Sequence, residues 1–258
     1  MLQFDAATTR LLEDAYQGSD VVRRRMASLE ALAPRPGDTV VDIGSGPGLL
    51  TLELARAVGP LGRAIGVEPS AEMRAASTGR CAERDNAEIV DGTAEALPLA
   101  ATSVDGAVAL QVFEYLPDIP AALREIARVL RPGARLVVGD THWDTLVWFS
   151  GDRQRMSKMM TAWDGHLVEK RVPEILPALC RDAGFIVDAV RPLVFSDTVL
   201  KPDGLAAMMM HLMRRYAVDN GQLTQAAANA WFEEQHALSR DGRFFFTVVY
   251  FVTLARKV

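Results

Sequence analysis

The residues of this chain best placed to do chemistry gather around Asp42. An apolar run, Val40-Val41-Asp42-Ile43, carries that acid straight into a turn with glycine at positions 44, 46 and 48. Glycines at that spacing let the backbone turn tightly and let a ligand lie against bare amides. The segment that follows, Leu49 to Val58, has the pattern of a helix whose first N–H groups point at the same spot. Strand, acid, glycine turn and helix in that order make a nucleotide-type pocket. The glycines read G-x-G-x-G rather than the G-x-G-x-x-G of dinucleotide sites, and no P-loop Lys-Ser/Thr follows. An acid beside the turn would repel a pyrophosphate but can organise a ligand with a cationic amino acid end. A second acid, Glu68, stands 20 residues after Gly48, where a carboxylate can accept two hydrogen bonds from ribose hydroxyls.

Other reactive side chains are sparse. Of the four histidines, His142 falls in Asp140-Thr141-His142-Trp143-Asp144, directly after the fifth expected strand and on the acceptor side of the pocket. It is the candidate catalytic residue, as a base or a substrate hydrogen-bond partner; a loop histidine with a structural bond is the alternative. His166 and His211 read as packed residues of helical segments. Glu114 and Tyr115 follow Gln111 and could reach the pocket mouth, or Glu114 could be a helix-start carboxylate. Cys81 and Cys180 are far apart and lack metal-ligand spacing, so no metal is expected and free thiols in a reducing, cytoplasmic setting fit best.

These groups need a scaffold, and the periodicity supplies one. Residues 3 to 33 have a helical pattern, with Val22, Met26, Leu29 and Ala33 on one stripe. Strands are expected at 39–43, 64–68, 87–90, 104–110 and 135–139, with helices at 49–58, 70–83 and 119–130 between them; Ser70 is a plausible N-cap. That alternation implies a parallel sheet covered on both faces. Residues 141 to 183 read as helices, Phe185 to Phe195 as a strand, 203 to 239 as helical, and the aromatic, β-branched stretch from Arg243 as a last strand. The expectation is a doubly wound, Rossmann-like α/β fold with seven mostly parallel strands and helical lid insertions. Three parts are expected: an N-terminal helical segment (1–36), a ligand-binding core (37–140) and a C-terminal part completing the sheet (141–258). Trp143, Trp148, Phe149, Met156, Met159, Met160 and Trp163, with Met208 to Met213, could line a lid over an apolar ligand or simply form core.

Bulk composition narrows the partners. The chain has 258 residues, 49% of them hydrophobic and 24% charged, as expected of a globular protein. Its net charge of −5 gives no footprint for nucleic acid, and the run Arg23-Arg24-Arg25 reads first as a solvated helix face. No signal-peptide layout is seen, and no apolar run approaches the ~20 residues that span a bilayer. A homodimer is possible.

With Asp42, the glycine turn, Glu68, Gly92-Thr93-Ala94 and the fourth-strand segment VDGAVALQVFEYL in order, the chain resembles class I S-adenosylmethionine-dependent methyltransferases of the type 11 group, which includes menaquinone and ubiquinone biosynthesis enzymes. The resemblance covers roughly residues 20 to 140. It implies that Asp42, Gly44, Ser45 and Gly46 face the methionine part of S-adenosyl-L-methionine and that Glu68 holds the ribose. It also implies that Pro69 and Met73 pack near the adenine, Gly92, Thr93 and Ala94 meet the adenine edge, and Gln111 and Val112 lie beside the sulfonium. Many relatives have Asp where Thr93 stands; Asp91 could substitute only if the loop bends. Arg25, 17 residues before Asp42, could pair with the methionine carboxylate, and Tyr16 could close that side. The implied activity is methyl transfer to a hydrophobic or aromatic small molecule. A non-catalytic partner subunit and a nicotinamide-dependent oxidoreductase are the alternatives, the second disfavoured by Asp42 and the glycine spacing.

Overall fold

The computed structural model describes residues 16–258. Of the helix expected over 3–33, residues 3–15 lie outside the described residues. The rest forms α1 (Ser19–Leu32). Then β1 (Thr39–Ile43), α2 (Leu49–Val58), β2 (Arg63–Val67), α3 (Ala71–Cys81), β3 (Ala87–Val90) and β4 (Val104–Leu110) alternate as the periodicity requires. A short 3-10 turn at Phe113–Tyr115 leads to α4 (Ile119–Val129), β5 (Leu130–Trp148), α5 (Arg153–Asp164) and α6 (Val172–Asp182). The chain closes with β6 (Phe185–Asp197), α7 (Leu205–Asp219), α8 (Gln225–Arg240) and β7 (Phe246–Lys257). Local signals set several of these boundaries: Ser70 Oγ accepts from Met73 N at the start of α3, and Asp118 Oδ1 accepts from Ala121 N at the start of α4, where Pro120 sits in the first turn.

The seven strands form one sheet in the order β3-β2-β1-β4-β5-β7-β6. The pairs β3–β2–β1–β4–β5 are parallel, while β7 runs antiparallel to both β5 and β6. Successive strand residues point to opposite faces, so two cores form. Val41, Ile43, Ile65, Ala107 and Leu136 pack toward α4 and α6, and Val40, Ala64, Val108 and Val137 toward α1 and α2. Helices α5, α7 and α8 gather over the second face around Trp148, Trp231 and Phe246, with Trp148 and Phe246 ring centroids 4.7 Å apart.

Two expectations change. Residues 141–148 are strand rather than helix: β5 continues past Gly139 because β7 supplies an antiparallel partner along its edge, Thr141 facing Tyr250 and His142 facing Val249. The register then slips between His142 and Val147, leaving Trp143 to Leu146 as a bulge that redirects the chain. Within α1 the buried stripe is Arg24, Arg25, Ser28, Ala31 and Leu32, while Met26, on the expected stripe, is 45% exposed. The helical period was right and its phase was not, because arginines were counted as solvent-facing.

Gly139, at the centre of β5, ties the sheet to the site. A Cβ there would lie 1.9 Å from Tyr250 Oη and 2.7 Å from its Cζ. Gly139→Ala should therefore destabilise the fold by ~1–3 kcal/mol through overpacking. The loss, measured by urea unfolding, should be smaller in a Tyr250→Phe background, where the closest atom is gone.

Candidate active site

The carboxyl ends of β1, β2 and β4 open into one cavity of about 530 Å³. Its floor is the glycine turn. Gly44 has φ +65°, a conformation L side chains rarely adopt, and a Cβ on it would lie 2.5 Å from Val112 Cγ2. The turn is laced to β2: Gly46 N donates to Glu68 Oε2 at 2.8 Å, and Ser70 N donates to Glu68 Oε1 at 2.9 Å. Asp42, 2% exposed, accepts from Thr51 Oγ1 on α2 at 2.6 Å. Burial pushes its carboxyl up to about 7, against the pull of that hydrogen bond. Burial also raises Glu68, and the two backbone N–H groups partly offset it.

A second polar knot closes the cavity where β4 and β5 end. Gln111 has φ +54°, a strained conformation for a residue with a side chain, usually costing of order 1–3 kcal/mol. That turn aims its amide across the wall. Gln111 Oε1 accepts from Arg24 Nη1, while Nε2 donates to Thr141 Oγ1 at 3.2 Å and to Glu114 Oε1 at 3.3 Å. Glu114 is fully buried; its Oε2 accepts from Trp143 Nε1 at 2.7 Å, and its backbone carbonyl accepts from Val168 N and Glu169 N. Burial raises this carboxyl and that of Asp140, and Glu114 makes Asp140 harder still to ionise. Glu114 thus holds Trp143 and Gln111 in place rather than opening to solvent.

The remaining wall is apolar and aromatic: Tyr115, Trp143, Trp163, Met208, Met209 and Leu212 face it from the 3-10 turn, β5, α5 and α7. The rings of Trp143 and Trp163 meet edge to face at 5.9 Å. The Trp and Met inventory is therefore divided. Trp143, Trp163, Met208 and Met209 line the cavity, while Trp148, Met156, Met159 and Met213 are core.

The structure brings all the expected cofactor-side residues to this one wall: Arg25, Asp42, Gly44, Ser45, Gly46, Glu68, Pro69, Met73, Gly92, Thr93, Ala94, Gln111 and Val112. Tyr16 joins them. Arg25 is already engaged, its Nε donating to Glu53 Oε1 and Oε2 at 3.0 and 3.1 Å and its Nη1 to the Tyr16 carbonyl. Asp91 pairs with Arg74 at 2.9 Å on the surface and does not line the cavity, so the loop does not bend it inward.

His142 is not on the wall. Its neighbours Thr141 and Trp143 are, so the strand alternation sends its ring to the opposite face. There Nε2 lies 2.6 Å from Glu174 Oε1 of α6, and the ring packs on Phe251. The expected loop position at the acceptor side is corrected accordingly. Arg24, Thr141 and Tyr250 were missed as wall residues. Arg24 shows itself only by falling at helical spacing from Ser28 and Ala31, which are buried. Among the described residues no cluster of His, Cys, Asp or Glu stands ready to hold a metal ion, and no helix is long and apolar enough to cross a membrane.

Comparison with known proteins agrees with this geometry. A family model described as a methyltransferase domain matches residues 41–138, from β1 to the middle of β5. The chain is 34% identical over 251 residues to an uncharacterized 37.1 kDa protein in transposon TN4556 of Streptomyces fradiae, covering 94% of this chain and 70% of that one. Over 122 residues it is 36% identical to 2-phytyl-1,4-naphtoquinone methyltransferase of Synechococcus elongatus, covering 46% of this chain and about half, 52%, of that enzyme. The YcgJ protein of Bacillus subtilis has the same fold, with a TM-score of 0.62 at 18% identity over 92% of this chain and 98% of that one. Domain match, methyltransferases among the relatives and site geometry converge: the chain belongs to the class I S-adenosylmethionine-dependent methyltransferases.

Proposed function

We propose that this protein transfers a methyl group to a hydrophobic or aromatic small molecule bound beside the cofactor in the cavity at the strand ends. The observation that carries the reading is the cavity's division into two chemically distinct halves. One half, from Asp42 through Glu68 to Thr93, offers carboxylates, bare amides and small side chains suited to an amino acid, a ribose and a base. The other half, from Tyr115 and Trp143 to Leu212, offers aromatic and thioether surface suited to a flat apolar molecule. A quinone methyltransferase among the relatives supports an acceptor of this kind.

In this reading Asp42 and the Gly44–Gly46 turn face the methionine part, Arg25 its carboxylate, Glu68 the ribose hydroxyls, and Pro69, Met73, Gly92, Thr93 and Ala94 the adenine. Gln111 and Val112 border the sulfur. S-adenosyl-L-methionine, when bound, supplies a methyl group on a positively charged sulfur. The protein's part is alignment and exclusion of water: Gln111, fixed from both sides of its amide, and Trp143, fixed by Glu114, hold the two halves in register. Orientation of that kind is worth ~7–11 kcal/mol in well-aligned systems, so few acid–base groups are needed. With His142 on the far face of β5, no histidine base is assigned. Free, buried thiols at Cys81 and Cys180 fit a cytosolic enzyme.

Asp42→Ala and Glu68→Ala should each weaken S-adenosylhomocysteine binding at least about tenfold by calorimetric titration, with a native circular dichroism spectrum. Wild-type affinity in either variant, or NADH binding in place of the nucleoside, would contradict the assignment.

Asp42 also sets a pH dependence. Its carboxyl rises from 3.8 to about 7 on folding, so the ligand-free fold favours its neutral form. That contribution to stability is complete below about pH 4 and is lost as pH climbs through 7. A cationic amino acid end favours the ionised form, so S-adenosylhomocysteine affinity should increase with pH up to about 7 and then level. Titrations across that window should show the slope in the wild type and a flat profile in Asp42→Asn.

A further inference from the structure

Three successive arginines on α1 meet three different fates. Arg23 is exposed, with its guanidinium 5.0 Å from the Phe195 ring centroid. Arg25 is neutralised by Glu53. Arg24 is 4% exposed, lines the cavity, and donates to the neutral Gln111 Oε1. Among the described residues no carboxylate lies within ion-pair distance of Arg24, and Gln111 is its one hydrogen-bond acceptor. A guanidinium has five N–H donors in a planar fork, so most of its binding capacity is unspent. Burial pulls its pKa below the ordinary guanidinium value, even with Tyr250, Tyr16, Glu114 and Asp20 pulling the other way. The rings of Tyr250 and Phe195, with centroids 5.3 and 5.9 Å away, offset this only in part.

Position decides what would complete it. Arg25 sits on the cofactor half, next to α2 and the glycine turn, where Glu53 and the Tyr16 carbonyl hold it. Arg24 stands instead beside Gln111, Tyr250 and Phe195, where β4, β6 and β7 meet the aromatic half. Glu114 is held apart from it by the Gln111 amide, whose oxygen faces the arginine and whose nitrogen faces the acid. A buried cation without an anion is strongly unfavourable in a folded protein and persists where a ligand supplies the missing charge.

Resting on the reading of this cavity as a methyl-transfer site, we propose that Arg24 anchors the acceptor, taking an anionic oxygen carried by an otherwise apolar, aromatic molecule. That oxygen can belong to a carboxylate or to an ionised ring hydroxyl; both present lone pairs to the planar fork. The aromatic body then lies toward Trp143, Trp163 and Met209, and Arg24 fixes its orientation relative to Gln111.

The test uses two probes of one shape, 1-naphthoate and 1-naphthamide, titrated at neutral pH into protein saturated with S-adenosylhomocysteine and followed by tryptophan fluorescence. The wild type should bind the carboxylate at least about tenfold more tightly than the amide. Arg24→Met should erase that preference and Arg24→Lys, which keeps the charge but loses the fork, should retain part of it. Arg24→Met removes an uncompensated buried charge, so its melting temperature should not fall below that of the wild type. Equal binding of the two probes by the wild type, or binding of neither, overturns the proposal. So does loss of S-adenosylhomocysteine affinity in Arg24→Met, which would assign the arginine to the cofactor. A wild type that fails to bind S-adenosylhomocysteine defeats the parent reading instead, and the two failures are read from separate titrations.

Discussion

The site exists because β1 has β2 on one side and β4 on the other, and the helices that follow β1 and β4 leave on opposite faces of the sheet. Neither of these connections crosses the gap between the ends of β1 and β4, so a crevice opens there. Everything chemical in the molecule is arranged around that gap. The glycine turn after β1 keeps its floor low, Glu68 at the end of β2 holds the turn by the Gly46 amide, and the left-handed Gln111 ends β4 on its rim. The late antiparallel strand β7 then lengthens β5, and the bulge at Trp143 to Leu146 swings an indole over the opening.

The electrostatics follow from the same constraint. The walls of a crevice roofed by α1, α5 and α7 are largely buried, and burial raises the energy of every isolated charge on them. Asp42, Glu68 and Glu114 are all pushed toward their neutral forms by burial, while Arg24 is pushed toward losing its proton. For Asp42 and Arg24 the sign matches the charge that a bound molecule would have to bring. The wall is held in an uncomfortable state that ligands of complementary charge relieve, which is how a site can discriminate strongly with few residues.

Much of this was legible in the residues. Glycine spacing, the acid before it and the acid at the end of the next strand are dictated by local backbone geometry, and local geometry is written in local sequence. Ser70 announced a helix start for the same reason. What escaped depends on long-range pairing. His142 looked like a loop residue because β5 seemed to end at Gly139; its extension is fixed by β7, more than 100 residues away, and the alternation of that added strand carries the ring to the wrong face for the cavity. Arg24 escaped because an arginine triplet on a helix reads as solvated, and only the tertiary packing of α1 against β4, β5 and β7 buries it. The division of the tryptophans and methionines into wall and core was undecidable for a similar reason, since both roles call for the same apolar side chains.

The most direct test of this account is a crystal structure of the protein grown with S-adenosylhomocysteine. The sulfur should lie against Gln111 and Val112 with the ribose hydroxyls on Glu68, and open space should extend from the sulfur toward Trp143, Trp163 and Arg24. A nucleoside bound with its sulfur turned away from that aromatic space, or bound outside the crevice between β1 and β4, would contradict it.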